Sequence, residues 1–191
     1  MKARLILLTT LLALAIGAGA QVIHNGGLNF GDMPSALSPT PMPNGYGNLN
    51  WTGFFYVNPF VWDGAGPGFK HKEWMMGSDV VFAPYACPGL GCYASLTSLT
   101  GLSADRNVPP PSTGFMLVKA HAAAGYATMG PGGSPLVVTA YYKGKFVGSV
   151  TYMMNTDVQQ LEFPTEWGVV TQVIFQGSIV FYDVEVYILG G

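Results

Sequence analysis

From Asp79 to the C-terminus the chain is a series of short apolar runs, none with the 3.6-residue period of a helix. Asp79 to Ala83 is a β-branched run, and apolar and other residues alternate from Phe115 through Lys119 to His121. Leu136 to Tyr142 and Lys145 to Met154 flank Lys143-Gly144, a dipeptide suited to a two-residue hairpin turn. Val158 to Phe163, Val169 to Gln176 and Ile179 to Leu189 follow, with Gly, Pro or Asn between them. Strand-length runs at intervals of roughly ten residues predict an all-β fold, a single antiparallel sandwich of about eight or nine strands.

The N-terminal half is less regular. Residues 1–20 have the layout of a secretory signal peptide: Lys2 and Arg4, an apolar stretch from Leu5 to Ile16, then Ala18-Gly19-Ala20 before Gln21. Export would leave residues 21–191 as one β-sandwich domain, outside the cell and without a membrane span. Four prolines between Pro34 and Asn50 predict a long loop wrapped on the surface, and a crowd of aromatics from Trp51 to Trp62 follows it. Cys87 and Cys92, in Cys-Pro-Gly-Leu-Gly-Cys, suit a local disulfide in an oxidising compartment.

Charged residues are only 9% of the chain, against about 25% in ordinary soluble domains. Losing Lys2 and Arg4 takes the formal net charge from −2 to −4, with no basic run, which argues against nucleic-acid binding. A surface built from Ser, Thr, Asn, Gly and Tyr suits a neutral partner.

Catalytic signatures are weak. His24, His71 and His121 have no metal-ligand spacing, and no nucleophile elbow or phosphate loop occurs. Glu162 and Glu166, near Trp167, are the first pair to consider for a glycosidase, although exposed acids beside a turn explain them as well. Strand alternation from Phe181 to Ile188 sets Phe181, Asp183, Glu185 and Tyr187 on one face and Tyr182, Val184, Val186 and Ile188 on the other. Two neighbouring carboxylates there fit either a bound cation such as calcium or a solvated face. Asn50-Trp51-Thr52 is a glycosylation sequon at Asn50. Among the aromatics, Trp62 and Trp74 stand in Gly-rich or charged surroundings and are the candidates for exposed stacking faces, the rest belonging to the core.

Asn29-Phe30-Gly31-Asp32-Met33 and the segment Met42 to Trp51 resemble a group of small secreted fungal and bacterial proteins. That group has a Phe-Asp-Asp-like opening, a Gly-Tyr-x-Gly-Leu-x-Trp segment and a late aromatic-x-Asp strand, here Phe181-Tyr182-Asp183. The arrangement is also similar to jelly-roll carbohydrate-binding modules. That similarity implies a structural calcium between Asp32 and Asp183, although Gly31 stands where the group has its first Asp. The resulting expectation is a secreted, non-catalytic glycan-binding protein of jelly-roll type. A protein-binding effector or surface component and a small polysaccharide hydrolase are the alternatives.

Overall fold

The computed structural model describes residues 21–58, 80–82, 93–98, 112–124, 133–155, 157–177 and 179–190. Among these the only helical pieces are two 3-10 turns, Tyr46–Asn48 and Thr165–Trp167. No described helix is long and apolar enough to cross a membrane. The strands are β1 (Gln21–Leu28), β2 (Thr40–Pro41), β3 (Leu49–Thr52), β4 (Phe55–Val57), β5 (Val80–Phe82) and β6 (Tyr93–Ser98). They continue with β7 (Ser112–Ala123), β8 (Ser134–Tyr142), β9 (Lys145–Met154), β10 (Gln159–Glu162), β11 (Gln172–Gln176) and β12 (Val180–Gly190).

Among the described residues every strand pairing is antiparallel, in two sheets. The first runs β10-β7-β12-β5-β4-β2 with β1 also on β12, and the second runs β3-β6-β11-β8-β9. The all-β antiparallel expectation holds, and the proline-rich stretch is irregular apart from the two residues of β2, one 3-10 turn and the start of β3 at Leu49.

The last eight strands pair as one long hairpin folded over on itself. The innermost pair is β8 with β9, then β7 with β10, β6 with β11 and β5 with β12. Successive pairs fall alternately in the two sheets, and β7–β12 and β8–β11 contacts complete each layer. The inner turn is Lys143-Gly144, with φ of 49° and 77°. Positive φ at both positions is the type I′ geometry that matches strand twist, and glycine adopts it without the cost of a Cβ.

Between the sheets lies an aromatic core. Phe175 of β11 meets Phe181 of β12 edge-on at 5.4 Å, and both contact Phe54 at 5.8 Å. Trp51 and Phe30 extend the cluster. Edge-to-face contacts of this kind add about 0.5–1.5 kcal/mol each beyond area burial. Phe30 takes a left-handed backbone (φ 58°) while its side chain is fully buried, so burial of the ring offsets the cost of an uncommon conformation.

Simple alternation fails where the strand register shifts, and one such shift in β12 changes which side chains reach the core. Tyr182 is an extra residue where β12 pairs with β7, because Phe181 lies opposite Ala122 and Asp183 opposite His121. This bulge resets the alternation, so Phe181 joins Val184, Val186 and Ile188 in the core instead of facing out with Asp183. Similarly, Val169 and Val170 precede β11 instead of opening it, because Val170 crosses to bridge Phe115 in the other sheet.

Candidate functional site

The outer faces of the two sheets carry different chemistry. On the first sheet, β7 and β12 present Lys119, His121, Asp183 and Glu185. Lys119 Nζ lies 3.0 Å from Glu185 Oε2. His121 Nδ1 lies 2.9 Å from each oxygen of Asp183, and the His121 backbone N–H donates to Asp183 Oδ1 at 3.2 Å. Both side chains of that pair are 41% exposed. On β10, Glu162 stands opposite Lys119 and Gln160 opposite His121. Hydrogen bonding and charge attraction from Glu185, with smaller contributions from Asp183 and Glu162, raise the Lys119 ammonium above the ordinary lysine range. The charges on this face largely pair with one another.

That pairing bears on the acidic candidates. Asp183, assigned from sequence to calcium, has both oxygens turned toward the His121 ring, while Asp32 accepts a 2.7 Å hydrogen bond from the Tyr46 hydroxyl. Calcium takes six to eight oxygen ligands, and among the described residues no three His, Cys, Asp or Glu side chains converge to hold a metal. The neighbours of Asp32 and Asp183 do not fit such a coordination shell. Glu162 and Glu166 are both exposed. The Glu162 carboxylate accepts from Gln160 at 3.2 Å and its backbone carbonyl accepts from the Tyr152 hydroxyl at 2.6 Å. Neither glutamate sits in the apolar enclosure that tunes a catalytic acid.

The second sheet has no charged residue on its outer strand face. Alternation turns Leu49, Trp51, Leu96, Val173, Phe175, Leu136, Val138 and Ala140 into the core. The residues between them point outward, Ser95 alone of those in the two rows they form being buried. Strand register aligns a continuous row, Asn50, Thr97, Gln172, Tyr141 and Phe146, from β3 to β9. Five neighbouring strands make this row about 19 Å long. Beside it run Thr52, Ser95, Ile174, Thr139 and Ser149. The Thr139 and Ser149 hydroxyls are 3.1 Å apart, and Ser149 also donates to the Val138 carbonyl at 3.2 Å.

At the β9 end the row becomes aromatic. Phe146 is 64% exposed, and its ring meets the half-exposed Tyr141 edge-on at 6.2 Å and 77°. At the turn beyond them, Lys143 Nζ lies 5.3 Å from the centre of the Tyr142 ring. Counting outward from Lys143-Gly144 finds this aromatic pair, because Tyr142 faces Lys145 and Tyr141 faces Phe146. The sequence reading missed it by seeking stacking faces in the aromatic crowd at Trp62 and Trp74. Those two, with Cys87, Cys92 and the signal segment 1–20, lie outside the described residues.

Asn50 is at the opposite end of the row. Trp51 beside it is buried and donates its indole N–H to the Tyr46 carbonyl at 2.9 Å. Alternation therefore turns Asn50 and Thr52 outward, with Thr52 exposed and Asn50 half-exposed. Compared with protein-family models and with curated proteins, the chain matches none of them.

Proposed function

We propose that this is a secreted, non-catalytic glycan-binding protein whose contact surface is the outer face of the second sheet. The observation that carries the reading is the uncharged row ending in the exposed Tyr141–Phe146 pair. Neutral sugars offer hydroxyls together with apolar C–H faces. Amide and hydroxyl side chains such as Asn50, Thr97 and Gln172 exchange hydrogen bonds between water and sugar hydroxyls without desolvating a charge. Aromatic rings cover the C–H faces. The nested pairing of β5 through β12 supports the jelly-roll form of the sandwich, and the leader-like residues 1–20 support export.

The test is retention of the purified protein on insoluble chitin, cellulose and β-glucan, measured as depletion isotherms. Binding to at least one polymer is expected, weakened about tenfold in a Tyr141→Ala/Phe146→Ala variant if each ring contributes about 0.7 kcal/mol. Failure to bind all three overturns the reading.

A further inference from the structure

We infer that β9 pairs edge to edge with β9 of a second copy of this chain, about a two-fold axis that passes through Val150 perpendicular to the sheet. Among the described residues β9 pairs with β8 alone, which leaves the backbone groups on its other edge without a strand partner. The other three ends of the two strand orders are short, and β1, with eight residues, pairs with β12 alone but has no exposed large hydrophobic residue among its described side chains. β2 has two residues, one of them Pro41, while β3 and β10 have four each. β9 has ten, and from Phe146 to Met154 it carries no charge and no proline, the usual guards of an open edge.

Its exposed side chains fit one register. Of the four large hydrophobic residues exposed on the described surface, Phe146 (64%) and Met153 (57%) lie near the two ends of β9. Both point outward, since Phe146 faces Tyr141 and Met153 faces Pro135, whereas Val147, Val150 and Tyr152 pack against the core. Antiparallel pairing with Val150 opposite its own copy sets Ser149 opposite Thr151 of the second copy and Gly148 opposite Tyr152 of the second copy. The bulge that leaves Val147 unmatched against β8 then brings Phe146 opposite Met153 of the second copy. Symmetry repeats each contact, so both exposed apolar side chains are covered twice. Moving the axis to Ser149 sets Phe146 against Thr151 and leaves Met153 without a strand partner, and moving it to Thr151 sets Met153 against Ser149 and leaves Phe146 without one. The result is a ten-stranded layer with both uncharged faces on the same side. The pairing does not rest on the glycan reading.

Sedimentation of the purified mature protein over a roughly hundredfold range of concentration tests it. A reversible monomer–dimer equilibrium is expected. Phe146→Lys and Met153→Glu should each weaken it at least tenfold, and combining them should restore it, because the register sets each new cation against a new anion. Equal melting temperatures at a concentration low enough for every variant to be monomeric confirm folding at these exposed positions. A monomer at every concentration, a dimer insensitive to both single changes, or a double variant no more dimeric than the singles would each overturn the inference.

Discussion

The two outer faces of this sandwich meet water in opposite ways. In a chain with so few charges, the first sheet gathers Lys119, Glu162, Asp183 and Glu185 into one mesh, with His121 held against Asp183. The second presents amides, hydroxyls and two rings across five strands with no ion at all. A face whose ions already pair with one another gives up those partners before it meets a ligand. An uncharged face exchanges water for another hydroxyl-bearing surface at little electrostatic cost. The contrast, more than either face alone, supports the proposal that the contact surface is on the second sheet.

The most disruptive way to break the comparison removes what both faces rest on. Phe175→Ala empties a site bordered by Phe54, Phe163 and Phe181 and should cost about 3–5 kcal/mol in urea unfolding, abolishing the distinction by unfolding both layers. Next in size is Gly148→Ala in β9. Its new Cβ would run into Trp167 Nε1, so a loss of about 1–3 kcal/mol is expected, read from the same transition.

The comparison is sharpened by changing one face at a time. Tyr141→Ala/Phe146→Ala should weaken polysaccharide retention about tenfold. Lys119→Ala/Asp183→Asn should leave retention unchanged while lowering stability by no more than about 1 kcal/mol, as expected of exposed pairs. Equal effects of both pairs on retention would erase the distinction.

The smallest effect concerns alkaline pH. Burial, then the charge of Glu162, pushes the Tyr152 hydroxyl up to about 12 from its ordinary 10. The folded state therefore keeps a proton that the unfolded chain releases. The associated stability is complete below pH 10 and declines as pH rises toward 12. Thermal melts across that range should show a shallower decline for Tyr152→Phe.

Much of the layer architecture is legible in the sequence, because β-branched alternation and a Lys-Gly turn report directly on backbone geometry. Two features escape it for physical reasons. β6, Tyr-Ala-Ser-Leu-Thr-Ser, buries Leu96 among two serines and a threonine, so its apolar signal is thin although it lies between β3 and β11. The bulge at Tyr182 is set by pairing with β7 and leaves no local mark, so counting by twos puts Phe181 on the wrong side. For the candidate site, the outward turn of Asn50 follows from Leu49 and Trp51, both apolar and buried. The join of Asn50 to Phe146 in one row depends on three intervening strands, whose order is a tertiary fact.

The nested hairpin also constrains the order in which the chain assembles. β12 supplies partners to β1, β5 and β7 together. A polypeptide synthesised from its N-terminus exposes those three strands before Val180–Gly190 arrives. The β8–β9 pair closes locally and early, whereas the first sheet waits for the trailing segment. Shielding of unpaired edges during that interval is therefore a requirement built into the connectivity.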